Sequence, residues 1–393
     1  MQDNSSAPRA LPHGDRPGVF GRGAIDSLPE YAKRHGYSRI LLVTGKRSFD
    51  SSGAARVVAG LAPIATIDRW SDFEPNPSTD DLACGLSKIA QFNPELVVGI
   101  GGGSVLDMAK LVRAFAGTTD LMADLHSYKA GDFSRLPSDQ PDLVLLPTTA
   151  GSGSEATHFA VVYVGSEKHS VASASLRADY VILDSELSMS ASPYQKATSG
   201  IDAVCQSMES IWAVASTAES HRFAVEALAL LIPALPEWVA GNNDMAERVV
   251  AGSHLAGRAI DETKTTGPHA MSYALTKQYG ISHGHAVALT FSAFAVAHAS
   301  AGADKLQGAL PPQAHRVSMA ALSDAVGLRE PSELGDWFRR FCASVNLKLG
   351  LHHYGVDSAA YPALAQCVNL ERLSNNPIEM SHSDLCEILH RSR

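Results

Sequence analysis

The chain has 393 residues, 45% of them hydrophobic and 19% charged, with 41 acidic against 32 basic residues and a formal net charge of −9. This is a soluble globular composition with room for two domains, and it lacks the basic excess of a nucleic-acid binder. No run approaches the roughly 18 apolar residues needed to span a bilayer; five scattered cysteines with no CxxC pair speak for reduced thiols in a cytoplasm, not for a disulfide framework.

Residues 1–17 form a polar, Pro/Gly-containing lead-in, expected to be flexible and lacking the apolar core of a signal peptide. Buried-strand patterns then follow at 39–45 (RILLVTG), 95–104 (ELVVGIGGGS), 142–149 (DLVLLPTT) and 179–184 (DYVILD), with helical runs such as VLDMAKLVRAFA between them. Strands interleaved with helices imply parallel βαβ units with both sheet faces covered. Past about residue 192 the β signals fade. Ala/Leu-rich amphipathic runs at 197–216, 218–240, 245–260, 268–279 and 286–297 predict an all-helical second half. The expected organisation is an α/β dinucleotide-binding domain over 18–192 and a helical metal-binding domain over 193–393. A ligand is expected beyond the carboxyl ends of the strands, in the cleft between the halves.

Two glycine-rich segments follow strands. GIGGGSVLDMAK (99–110) opens a helix, where backbone N–H groups meet an anionic phosphate at the positive helix end. It is neither a Walker loop nor a clean GxGxxG, because Ser104 stands at the third glycine position, and a ligand-free turn is the alternative. PTTAGSGSEAT (147–157) suits nucleotide contacts, while Ser152-x-x-Glu155 also reads as a capping box.

Asp202 and Gln206 sit four apart on a helical stretch and so share a face, and His269 and His283 are fourteen apart. Asp202, His269 and His283 are good ligands for a divalent metal. Gln206 offers a neutral, weaker oxygen that lowers affinity without forbidding binding. Pro268 marks a helix start and Gly280 a helix end, so His269 is expected in a first turn and His283 in the following loop, ISHGH.

These segments in order, together with FGRGAIDSLPE, FEPNPSTDDL and the C-terminal NNPIEMSHSDLCEIL, resemble the iron-dependent (group III) alcohol dehydrogenase family from about residue 18 onward. The resemblance implies that fold: an α/β dinucleotide-binding domain, an all-α C-terminal domain, and NAD(P) beside one divalent metal. It implies hydride transfer between an aldehyde or alcohol and the nicotinamide, in a homodimer. By resemblance Gly101, Gly102, Gly103 and Ser104 take the pyrophosphate, Asp107 lies near the nicotinamide, and Thr148, Thr149 and Ser152 line the nucleotide site. The adenosine ribose falls to Gly45, Lys46, Arg47 and Ser48. Gly45 stands where NAD-preferring members carry an acid, which implies NADPH, with NADH as the second option.

The family's ligands are an aspartate, a histidine four residues on, and two histidines fourteen apart; Asp202, His269 and His283 match, and Gln206 departs. The departure leaves the metal open between Fe and Zn, with Mn a third choice. Tyr273 stands where many members have a further histidine and is expected to line the site. Lys264, Thr265 and Thr266 precede the first metal histidine and form a candidate anion pocket. With Gln206 they resemble the phosphonoacetaldehyde reductase branch, which reduces phosphonoacetaldehyde to 2-hydroxyethylphosphonate in phosphonate and phosphinate antibiotic pathways. Three alternatives stand beside it: a reductase of small neutral aldehydes, a lyase resembling dehydroquinate synthase, and a non-catalytic binding protein.

Overall fold

A computed structural model of the chain describes residues 8–129, 140–165, 167–308, 310–368 and 370–393. The chain divides into two compact units, Met1–Ala191 and Ser192–Arg393.

Among the described residues, unit one is built on nine strands: β1 (Arg9–Ala10), β2 (Gly18–Gly21), β3 (Arg39–Thr44), β4 (Thr66–Trp70), β5 (Leu96–Gly101), β6 (Asp142–Pro147), β7 (Phe159–Val164), β8 (Glu167–Ala172) and β9 (Tyr180–Asp184). Seven make one sheet in the order β1-β2-β9-β6-β5-β3-β4, and β7 and β8 form a separate antiparallel hairpin. All pairings in the large sheet are parallel except β1 with β2. Alternate residues feed two cores, Leu41, Val43, Val97 and Leu145 on one face and Ile40, Leu42, Val98 and Leu146 on the other. That two-sided burial is what the unbroken apolar runs of β3, β5 and β6 foretold. β4 was not foreseen: TIDRW is an edge strand with polar residues at Thr66, Asp68 and Arg69, which breaks the apolar run. Within the lead-in, Arg9–Ala10 pairs with Val19 and Phe20 and Leu11 is buried, so this stretch is tied to the sheet; residues 1–7 lie outside the described residues.

From β3 the chain moves outward to β4, then crosses back to β5 on β3's other side, making β3/β5 the topological switch point. The loops after β3 and β5 leave from that point, at the carboxyl edge where open parallel sheets bind ligands. The helix α1 (Gly103–Ala114) starts directly after β5.

Unit two is helical. Its main elements are α2 (Pro193–Trp212), α3 (Ala218–Val239), α4 (Ala246–Thr263), α5 (Gly267–Tyr279) and α6 (His283–Ala299). α2 starts with Ser192 accepting from the Gln195 amide and a proline in its first turn. It packs against α3, α4 and α6, and every residue from Gly200 to Trp212 is buried. A helix buried all round is a core helix. Its Asp202, Gln206 and Glu209 are therefore polar groups held in an interior where each needs a partner. Among the described residues no helix is long and apolar enough to cross a membrane.

Candidate metal centre and nucleotide site

Asp202, Gln206 and Glu209 follow one another at spacings of four and three on α2, so they line one face of a buried helix. α5 brings His269 in its first turn, with Pro268 at the start and Gly280 closing the helix at φ 65°. The Asp202 Oδ1 to His269 Nε2 distance is 3.2 Å, and candidate ligand atoms of Asp202, His269 and His283 all lie within 4.8 Å of one another. Ligands at about 2.1 Å from a tetrahedral cation stand about 3.4 Å apart, so a carboxylate and two imidazoles at this spacing fit a divalent ion.

His283 corrects the expectation of a loop residue: it is the first residue of α6. The physical reason is Gly284. A Cβ there would lie 2.1 Å from the Thr198 carbonyl oxygen and 2.7 Å from Asp202 Cβ, so only glycine lets α6 begin this close to α2. His285, one residue on, is held by Tyr194 at Nδ1 (3.1 Å) and by the Lys348 carbonyl at Nε2 (3.0 Å), which anchors the same turn. Ser272 Oγ lies 3.4 Å from His283 Nδ1, and the Tyr273 ring runs parallel to His283 with centroids 6.0 Å apart.

Gln206 Nε2 donates to Asp202 Oδ2 at 3.3 Å, so the glutamine meets the aspartate as a donor. Glu209 was missed in the sequence, although its place seven residues after Asp202 on one helix face was a usable signal. It is fully buried. One oxygen accepts from His269 Nδ1 at 2.5 Å; the other accepts from the Thr266 amide at 2.7 Å and the Thr266 hydroxyl at 2.8 Å. Those bonds offset a desolvation cost of several kcal/mol for a buried carboxylate. A carboxylate on the far nitrogen of a metal-binding histidine sets its tautomer and aims the other nitrogen at the ion. Burial works against positive charge on His269, yet Glu209 and Asp202 together raise it to about 10.

The predicted anion pocket is rearranged. Thr266 is buried, donates to Glu209 and accepts from Trp212 Nε1 at 2.9 Å, so its hydroxyl proton is used inside the protein. Lys264 is exposed, and its ammonium has no hydrogen bond or ion pair among the described residues. Its backbone, at φ 61° and ψ −173°, lies in a region that is nearly glycine's alone and costs of order 1–3 kcal/mol. The flanking Thr263 and Thr265 carbonyls both accept from Asn375 Nδ2, at 2.8 and 3.1 Å.

In unit one, β5 and β6 end side by side, Gly101 opposite Pro147, so the two glycine segments leave from neighbouring strand ends. A Cβ on Gly103 would sit 3.0 Å from the Ser152 side chain, and one on Gly102 3.5 Å from Thr149 Oγ1, so the segments face each other closely. Gly102 precedes α1 with no side-chain cap; the Val105 and Leu106 amides donate to the Gly102 carbonyl at 2.9 and 3.1 Å, which leaves the Gly103 and Ser104 amides at the helix start without an intrahelical acceptor. Thr148 Oγ1 is buried and has no hydrogen-bond partner among the described residues. Free amides, bare glycines and an orphaned hydroxyl fit a bound dinucleotide phosphate. Ser104 Oγ accepts from the Asn76 amide at 3.1 Å. Asp107 is used as a brace: it accepts from Ser154 Oγ at 2.5 Å and from the Val161 amide at 3.0 Å. The Ser152 hydroxyl accepts from the Ser154 amide at 3.3 Å ahead of a short 3-10 turn. After β3, Lys46 is held by Glu74 at 2.7 Å and Asp72 at 3.6 Å, while Arg47 is exposed with no ion pair among the described residues.

The iron-containing alcohol dehydrogenase family matches residues 17–185, and the C-terminal family of Fe-containing alcohol dehydrogenases matches residues 196–393. Long-chain-alcohol dehydrogenase 1 of Geobacillus thermodenitrificans is 29% identical over 93% of this chain and 92% of its own. Phosphonoacetaldehyde reductase of Streptomyces viridochromogenes is 32% identical over 64% of this chain and 65% of its own. The crystal structure of sulfoacetaldehyde reductase from Bifidobacterium kashiwanohense in complex with NAD+ superposes with a TM-score of 0.84 at 27% identity, covering 96% of each chain. With both of its halves matched in order, and with the ligand cluster and glycine turns just described, the chain belongs to the iron-containing alcohol dehydrogenase family.

Proposed function

We propose that this protein is an NADPH-linked, metal-dependent reductase of a small aldehyde with an anionic tail, phosphonoacetaldehyde first, giving 2-hydroxyethylphosphonate. The net reaction consumes the aldehyde, NADPH and one proton and yields the alcohol and NADP+. The observation that carries the anionic substrate is Lys264, an exposed ammonium with no hydrogen bond or ion pair among the described residues, on a strained residue five positions before His269. Two of the related proteins are named for aldehydes whose tails carry an oxyanion, a phosphonate and a sulfonate.

Asp202, His269 and His283, with Gln206 as the fourth group, would hold the divalent ion, which when bound supplies Lewis acidity toward a carbonyl oxygen. The nicotinamide, when bound, supplies the hydride. Glu209 keeps Nε2 of His269 free for the ion by accepting from Nδ1. The Gly103 and Ser104 amides and the Thr148 hydroxyl would hold the cofactor's phosphates. Lys264 orients the anionic tail and so contributes binding and geometry. Tyr273, parallel to His283, is the hydroxyl we assign to relaying the proton that the product oxygen takes up. The NADPH preference rests on Gly45, which places no carboxylate beside the ribose, and on Arg47. Lys46 adds little, because Glu74 and Asp72 already offset its charge.

The test is NADPH and NADH oxidation against phosphonoacetaldehyde, sulfoacetaldehyde and butanal, for the native protein and Lys264→Ala. The expected result is a KM for phosphonoacetaldehyde raised about tenfold or more by Lys264→Ala, the loss of one charge-assisted contact, with butanal little changed. Equal effects on both aldehydes would sink the anion reading. In that case the neutral-aldehyde reading, favoured by the nearly full-length similarity to a long-chain-alcohol dehydrogenase, takes its place. Turnover without net nicotinamide oxidation would instead favour the lyase.

A further inference from the structure

The anion reading says what Lys264 binds; the strap around it bears on how the lysine is aimed. Lys264 has φ 61° and ψ −173°, and it is an exposed residue that could relax toward ordinary backbone if nothing held it. Every neighbour along the strap is held. The Thr263 hydroxyl donates to the Lys264 carbonyl at 2.7 Å and contacts Ser210 Oγ at 3.0 Å. The Thr263 and Thr265 carbonyls share Asn375 Nδ2, and Thr266 is fastened to Glu209 through both its amide and its hydroxyl. Asn375 is itself anchored, because its Oδ1 accepts from the Ala215 amide at 3.0 Å and its carbonyl oxygen from the Val214 amide at 3.0 Å.

Strain persists where the surroundings over-determine it, and it is at ligand-holding segments that this is most often found. We propose that the strap 263–266 is a preset specificity element and that Asn375 is its positioning residue. One amide group bridges the carbonyls on both sides of Lys264 and holds the cation in its strained setting before substrate arrives. The lysine then loses less freedom on binding, and the gain falls to anionic aldehydes alone. Through Glu209 the strap also shares a buried carboxylate with the ligand His269, so the anion contact and the metal ligand have a common support. The inference rests on the anion reading.

The experiment compares native protein, Asn375→Ala, Asn375→Asp and Lys264→Ala, each loaded with the same divalent ion, for steady-state turnover of phosphonoacetaldehyde and butanal. Asn375→Asp keeps the acceptor for the Ala215 amide and loses both donations to the strap, so it carries the test even where Asn375→Ala folds poorly. The expected result is a KM for phosphonoacetaldehyde raised about tenfold in both Asn375 variants, with a kcat change of about threefold or less and a butanal KM shift of about twofold or less. A KM rise shared equally by both aldehydes, or no rise for either, overturns the strap proposal. If Lys264→Ala is selective for the anionic aldehyde and the Asn375 variants are not, the strap proposal alone falls. If Lys264→Ala is not selective, the anion reading falls with it.

Discussion

Glu209→Gln is nearly isosteric, yet it sets two demands that a glutamine cannot meet together. Both carboxylate oxygens of Glu209 act as acceptors, one for His269 Nδ1 at 2.5 Å and one for the Thr266 amide and hydroxyl at 2.7 and 2.8 Å. Glutamine has one acceptor and one donor end. With its NH2 toward Thr266, two donors face each other at the Thr266 amide. With its NH2 toward His269, Nδ1 must become the acceptor and the imidazole proton moves to Nε2, the atom 3.2 Å from Asp202 Oδ1 that would meet a bound ion. Either choice forfeits one or two bonds to a charged group, worth about 1.5–3 kcal/mol each. Outer-sphere partners of this type control about 10- to 100-fold in metal affinity, and that is the expected loss here. The assay is competition for Zn2+ or Fe2+ against a chromophoric chelator, with thermal melts run alongside to follow folding. A variant that binds metal within about twofold of the native protein, inside the noise of such effects, would refute the assignment of Glu209 to His269.

Other expectations follow from the same geometry. Gly284→Ala puts a methyl against the Thr198 carbonyl, a rigid backbone atom, so α6 must shift from α2; a loss of about 1–3 kcal/mol in chemical denaturation is expected, with reduced metal content. Full metal content and native stability in that variant would show that His283 does not depend on the close approach. Gln206→Ala removes the donor to Asp202 and should weaken metal binding about tenfold, whereas Gln206→His should bind at least as tightly; an alanine variant with native metal content and turnover would reduce the site to a triad. His298 is buried, and that burial, with His315 nearby, lowers it to about 3. A histidine kept neutral in the fold but free to charge near 6.5 when unfolded makes stability fall as the pH drops below 6.5 toward 3. The loss from this residue is about 2 kcal/mol by pH 5, measurable by denaturation at a series of pH values, and His298→Leu should flatten that slope. A slope unchanged by the substitution would place the acid sensitivity elsewhere.

Much of this protein was legible in the chain because the physics involved is local. Unbroken apolar runs identify β3, β5, β6 and β9, since a strand covered on both faces has no polar side. Periodic Ala/Leu runs identify the helices of unit two, and four-residue spacing places Asp202 and Gln206 on one face. The candidate metal triad and both glycine turns are legible from motif and family resemblance, and the fold brings Asp202, His269 and His283 together. The tertiary structure alone decided which polar atoms were already spent. Thr266 and Asp107 are consumed internally, and Lys46 is offset by Asp72 and Glu74 in the loop that follows β4. Asn375 opens one of the segments that carry the family resemblance, but nothing local shows that it bonds Thr263 and Thr265, more than one hundred residues away. Side-chain type and spacing tell which groups can act, but whether a donor is free depends on partners far away in the chain, and that is settled only when the chain has packed.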